Sequence, residues 1–241
     1  MKLGIMQPYF FPYIGYFQLM KAVDEWVFFD DIQFIDKGWI NRNRILHPEV
    51  EKEWQFITIP LAKRGQFDQI VDITIKQDGK WKQQILGKLG AFKKKAPFYK
   101  RAYHLVSKCL EQDEDNLSRF LISTLKETAE LLDISVKYHV QSEMNLALGD
   151  IEHPGQWALR ISEKMQANEY VNPVGGKHIF NNKEFVQADI KLSFLQPVIE
   201  QYPQRRPEFV SGLSIIDVLL WNDLEQVRDM TRKYSILQES Q

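Results

Sequence analysis

Cysteine is nearly absent. Cys109 is the only one in 241 residues, so no intrachain disulfide can form and no cysteine-rich zinc site can be built. An excess of one charge is absent too. Lys and Arg number 31, Asp and Glu 32, and a net charge of -1 argues against general coating of nucleic acid; no DNA partner is expected. No stretch approaches the roughly 18 apolar residues of a membrane span. Met1 to Pro8 has neither the apolar core nor the small-residue cleavage site of a signal peptide, so a cytoplasmic setting is expected. The histidines at 47, 104, 139, 153 and 178 never fall at metal-ligand spacing, and no metal is expected. The chain also lacks a Gly-x-Ser-x-Gly elbow, the glycine patterns of dinucleotide and phosphate loops, internal repeats and Gly/Ser linkers.

What is present is a globular balance, 44% hydrophobic and 26% charged. A chain of this length can bury roughly 70–75% of its unfolded surface. One domain over 1–241 is expected, with a helical insert over about 80–132. Lys2 to Met6 reads as a strand, the Pro-broken stretch Gln7 to Pro12 as a loop, and Ile14 onward as a helix with apolar residues at helical spacing. Trp26 to Phe29 is a second strand. Strand, short helix and strand make a βαβ unit, which implies an α/β fold on a mainly parallel, Rossmann-like sheet. Further strands are expected at Gln55 to Pro60, Ile70 to Ile75, Val136 to Val140, Glu169 to Asn172 and Ile190 to Phe194. Helices are expected at Lys80 to Ala91, Pro97 to Gln112, Leu117 to Leu132 (capped by Asn116) and Gly155 to Ala167. Pro173 to Gly176 reads as a turn. A last helix starts at Ser214, whose cap is paired with Asp217 three residues on.

Four clusters bear on chemistry. Gln7-Pro8-Tyr9-Phe10-Phe11-Pro12-Tyr13-Ile14-Gly15-Tyr16 follows the first strand and opens the first helix, where open α/β sheets hold ligands. It is either an aromatic plug or a pocket wall formed by Gln7, Tyr13, Gly15 and Tyr16. Asp30 sits at the carboxyl end of the second strand. Beyond it, Trp39 can stack on a base or sugar, and Asn41 and Arg42 can bond phosphate or hydroxyl oxygens. The alternative is a surface loop with ion pairs. Asn172-Pro173-Val174-Gly175-Gly176-Lys177-His178 is an ordinary turn or a loop that clamps an anion. Tyr202-Pro203-Gln204 precedes the Ser214 helix. Cys109, mid-helix on an apolar face, reads as packing. Lys88 to Lys108, with Lys93-Lys94-Lys95, is a solvated face or a polyanion footprint.

Taken in order, these segments resemble the WbqC-like protein family of bacteria. The features that match are Gln7-Pro8 through Pro12, Gly15-Tyr16, Trp39 with Asn41-Arg42, Ile70 to Ile75 before Trp81, Tyr170 with Gly175-Gly176, and Tyr202-Pro203-Gln204 with Leu213 to Asp217. The resemblance implies a role in surface polysaccharide (O-antigen) synthesis, with glycine or a similar aminoacyl group transferred to the amine of a nucleotide-linked amino sugar. The reaction would need a base, for which Asp30 and His178 are the candidates, and an anion grip, for which Gly175, Gly176 and Lys177 are. The acyl donor is open: aminoacyl-tRNA, an amino acid with ATP, or a carrier thioester. No cofactor is implied with certainty. A fainter similarity links the first βαβ unit to His-x-Gly-His nucleotidyltransferases, with Tyr13 and Tyr16 in place of both histidines. Two other readings follow: an enzyme that activates an amino acid with ATP, and a non-catalytic sugar-nucleotide binder.

Overall fold

The computed structural model describes residues 1–238. The chain opens with β1 (Lys2–Met6), α1 (Ile14–Lys21) and β2 (Glu25–Phe28), then a hairpin of β3 (Arg42–Leu46) and β4 (Trp54–Thr58). Three helices follow: α2 (Lys80–Gly90), α3 (Tyr99–Leu110) and α4 (Leu117–Leu131). Next come β5 (Lys137–Val140), α5 (Pro154–Lys164), β6 (Glu169–Pro173), α6 (Asn182–Gln187) and β7 (Lys191–Pro197). The chain closes with α7 (Ile215–Trp221), α8 (Leu224–Thr231) and β8 (Tyr234–Gln238).

The fold is α/β on a six-stranded sheet ordered β5-β2-β1-β6-β7-β8. Every pairing is parallel except β7 with β8. β1 lies between β2, reached through α1, and β6, which starts the second half of the sheet. The crossovers therefore diverge at β1. Alternate residues of each strand face opposite layers, as a two-residue period requires. On β1, Leu3 and Ile5 join a layer with α5 and α6, while Trp26 and Phe28 of β2 join the larger core with α1 and α7. Gly4 turns to that larger core, and the Trp26 ring sits where a side chain would stand: a Cβ there would be 2.8 Å from it. Helices α2 to α4 contribute Trp81, Ile85, Leu105 and Phe120 to the same core, so this helical stretch is continuous with the sheet layer. Cys109 is fully buried there, and burial pushes its thiol up to about 12, in keeping with packing.

Asn116 caps α4 as its position suggests, accepting from the Arg119 N–H at 3.0 Å. Several expectations are corrected. Ile70 to Ile75 is not a strand: Ile70–Asp72 is a 3₁₀ turn, followed by single bridges from Thr74 to Asn116 and from Leu61 to Ile75. The polar-aromatic stretch before His47 carries β3, and the chain after Lys177 carries α6, α8 and β8, none of which the apolar spacing marked. The turn after Pro173 is a 3₁₀ segment, Val174–Ile179. Ser214 caps α7 alone, accepting from the Ile216 N–H at 3.2 Å, while Asp217 points elsewhere. The capping box belongs to α8, between Asp223 and Gln226.

Candidate functional site

The loop after β1 is fixed from both sides. The Phe10 N–H donates to Ile40 O at 2.9 Å, and Asn43 Nδ2 donates to Phe10 O at 3.2 Å. From the α7 side, Ser214 Oγ donates to Phe11 O at 2.7 Å and the Ile215 N–H to Pro12 O at 2.9 Å. Phe10 and Phe11 are fully buried, and Phe11 holds φ at 41°, a left-handed value that costs a bulky residue about 1–3 kcal/mol. Burial of both rings, each worth roughly 1.5–3 kcal/mol, offsets it. Half of the aromatic segment is thus a plug that anchors the loop.

The other half faces out. Tyr9, Pro12, Tyr13, Trp39, Arg44 and Gly212 enclose a mainly apolar pocket of about 240 Å³. Tyr13 lies over Gly15, where any Cβ would collide with its ring. Tyr16 sits behind the pocket rather than on it. It is buried, donates to Gln7 O at 3.1 Å and packs on Trp26 with ring centroids 5.1 Å apart. Burial holds the Tyr16 phenol well above its ordinary pKa and raises those of Tyr9 and Tyr13, so all three stay neutral donors. Gln7 meets the site through Tyr9, whose hydroxyl lies 3.4 Å from Gln7 Oε1.

The two arginines of β3 divide the work. Arg42 donates to Gly38 O at 3.2 Å and to Lys37 O, and stacks on Phe56 at 4.4 Å. Asn41 donates to Ile59 O at 2.8 Å. Both therefore brace the loop and hairpin. Arg44 lies over two indoles, its Cζ 5.1 Å from the ring centroids of both Trp39 and Trp54. Its guanidinium has no hydrogen-bond or ion-pair partner among the described residues, and its Nε is buried. Arg44 also lines a second, more polar cleft of about 440 Å³ with Glu53, Trp54, Arg206, Glu208 and Ser211. Arg206 is tied to the hairpin tip, donating to His47 O at 2.8 Å and Glu53 O at 3.1 Å.

Asp30 occupies a different place. Its buried carboxylate accepts from Ser118 Oγ at 2.7 Å, Ser142 Oγ at 2.9 Å and the Ser142 N–H at 3.1 Å. It lies at the floor of a third cleft, about 640 Å³, between α4 and the end of β5. Tyr202 and Gln204 do not face the aromatic pocket through their polar groups. They donate to the fully buried Asp217 at 2.9 and 3.3 Å, and the Leu46 N–H adds a contact at 3.4 Å. Burial raises Asp217 to about 6 despite these donors.

At the end of β6, Asn172 is buried, accepts from the Tyr170 hydroxyl at 2.8 Å and donates to Pro173 O. Gly176 packs on its amide: a Cβ there would be 2.5 Å from Nδ2. Gly175, Lys177 and His178 are exposed, with the Lys177 ammonium 5.8 Å from the Phe194 ring. The aromatic pocket includes none of these three, nor Asp30. Of the sequence candidates, the structure brings Tyr13 and Trp39 together, with Gln7 and Gly15 in support. Tyr9, Arg44, Trp54 and Gly212 also line the pocket or the adjoining cleft, and the sequence does not mark them as site residues. Aromatic spacing could have pointed to Tyr9, but nothing local separates Arg44 from Arg42. In the basic zone, Lys95 donates to Pro48 O at 3.1 Å, while Lys93 and Lys94 are exposed.

No group of His, Cys, Asp or Glu among the described residues has a metal-binding arrangement, and none of the described helices is long and apolar enough to cross a membrane. A family model described as the WbqC-like protein family matches residues 7–229. The chain is similar to an uncharacterized protein of Mycobacterium tuberculosis, Rv1507c: 27% identical over 220 residues, which cover 90% of this chain and 92% of that one. No solved structure matches it.

Proposed function

The chain belongs to the WbqC-like protein family, and from that premise we propose that it transfers glycine or a similar aminoacyl group to the amine of a nucleotide-linked amino sugar for surface polysaccharide (O-antigen). The observation that carries the reading is the pocket of Tyr9, Tyr13 and Trp39 on the carboxyl side of β1. Neutral aromatic faces in a mainly apolar pocket suit a nucleobase, and stacking does not depend on which base it is. The site lies close to the point where the crossovers diverge, where open α/β sheets hold nucleotides.

The chemistry is an acyl transfer. The amine lone pair attacks the activated carboxyl carbon, a C–N bond forms, and the bond to the leaving oxygen or sulfur breaks. The leaving group takes that electron pair, and a base takes the amine proton. The burial of Tyr16 and the neutral Tyr13 disfavour the rival reading of adenylyl transfer, because neither phenol supplies the cation that the histidines of that motif would.

The test is calorimetric titration of the purified protein with UDP-, GDP- and dTDP-linked amino sugars. Mass spectrometry of the sugar would follow, with glycyl-tRNA, glycine plus ATP, or a glycyl thioester as donor. Binding, with a gain of one glycyl mass from one donor, is the expected result. Binding without transfer from any donor leaves a sugar-nucleotide binding protein and removes the transferase. Binding of none removes the reading altogether.

A further inference from the structure

We infer that Arg44 is an anion anchor joining two subsites, so that a nucleoside diphosphate amino sugar lies with its base on Tyr13 and Trp39, its diphosphate on Arg44 and its sugar beside Glu53 and Glu208. The identity of the sugar rests on the transferase reading; the anchor does not.

Three observations converge on Arg44. The first is its position. Arg44 is the side chain that lines both the aromatic pocket and the polar cleft, so a ligand reaching from one to the other passes its guanidinium. The second is its unmet bonding. A guanidinium carries five N–H donors, and proteins pair most of them when the side chain is partly buried. Arg42, two residues earlier on the same strand, uses its donors on two backbone carbonyls, and Arg206 uses its own on the hairpin tip. Arg44 uses none within the described protein. The third is its rigidity. Two indoles with ring centroids 5.1 Å from its Cζ restrict the side chain, so less freedom is lost when an anion binds. A planar fork with free donors matches a phosphate or carboxylate oxygen pair.

The two cavities differ in chemistry. The pocket on the Trp39 side is mainly apolar and suits a ring. The cleft on the Trp54 side carries Glu53, Glu208 and Ser211, which suit hydroxyls and an ammonium. A nucleoside diphosphate amino sugar presents ring, anion and amine in that order.

The anchor is tested by titration of parent, Arg44→Met and Arg44→Lys with inorganic pyrophosphate, uridine and UDP. Methionine keeps an apolar filling beside the indoles and removes a charge that makes no hydrogen bond or ion pair with a described residue, so unfolding temperatures should stay near the parent's. Loss of the charge-assisted bonds should weaken pyrophosphate and UDP by roughly 10- to 100-fold. Lysine should recover part of that loss, and uridine should bind all three proteins alike. Pyrophosphate and UDP binding that is unchanged in Arg44→Met, or undetectable in the parent, overturns the anchor. Arg44-dependent binding of pyrophosphate with no binding of any nucleotide-linked amino sugar keeps the anchor and removes the transferase reading. The sugar side is tested with UDP-glucosamine against UDP-N-acetylglucosamine. The parent should prefer the free amine, and Glu53→Gln with Glu208→Gln should abolish the preference. An equal preference in parent and double variant overturns that half.

Discussion

The phenol of Tyr13 lies against Gly15 so closely that a methyl group there would fall 2.4 Å from a ring carbon. Gly15 is in the first turn of α1, where alanine is favoured over glycine by up to about 1 kcal/mol. Gly15→Ala should therefore leave thermal unfolding near or slightly above the parent value, because the atoms it meets are the movable end of a side chain. The displaced Tyr13 should deform the aromatic pocket, and nucleotide-sugar affinity should fall at least about tenfold. Unchanged affinity by calorimetry would show that Tyr13 is not part of the binding wall.

Asp30 was a candidate base, and its geometry suits a brace. Asp30→Ala would leave two serine hydroxyls and the Ser142 N–H without their acceptor, at roughly 1–3 kcal/mol each. Urea unfolding should report a loss of about 3 kcal/mol or more, with Asp30→Asn less affected. A variant as stable as the parent but unable to transfer would restore Asp30 as the base.

Asp217 gives the fold a pH signature. Its folded pKa of about 6 lies above the ordinary 3.8, so the folded state holds a proton that the unfolded state releases. The stability this group contributes is present below about pH 4 and is lost as pH rises through about 6, amounting to about 3 kcal/mol. Tyr202, Gln204, Trp221 and the Leu46 N–H face the carboxyl group and limit that loss. Asp217→Asn should gain on the parent as the buffer moves from pH 4 to pH 7, measured by urea midpoints. A stability difference between the two that does not change with pH would refute the assignment.

The Lys93–Lys95 turn tests the donor. If aminoacyl-tRNA supplies the acyl group, Ala at all three positions should weaken transfer most at low salt. The defect should narrow as salt rises, because the parent loses its phosphate contacts faster. Equal rates at every salt concentration would return the turn to plain solvated surface.

Periodicity was informative where burial and hydrogen bonding coincide. Leu3, Ile5, Trp26 and Phe28 are apolar because they stand in a covered parallel sheet, and their strands are legible. Ile70, Ile73 and Ile75 mimic that signal: all three are buried, but by a 3₁₀ turn and isolated bridges rather than a ladder. β3 is concealed by Asn43 and Arg44, polar residues whose neighbours are supplied by the β4 partner and by a loop from the far end of the chain. The α8 box, Asp223 to Gln226, is legible in the sequence as a cap residue with Gln three positions on. At the site, the aromatics were legible as a cluster. Which of them turn inward depends on Ile40, Asn43 and Ser214 holding the loop, and those contacts are set only by the tertiary fold.

The place of β1 in the sheet has a consequence for synthesis. Lys2 pairs beside Glu169, so β1 acquires one of its two neighbours only after roughly 160 further residues have been translated. At about 5–20 residues per second, the free edge of β1 waits roughly 8–30 s on the ribosome. During that interval it exposes an apolar face and unpaired backbone groups, the ordinary template for strand-to-strand association. Nascent chains of this protein should therefore depend on holding factors until β6 emerges.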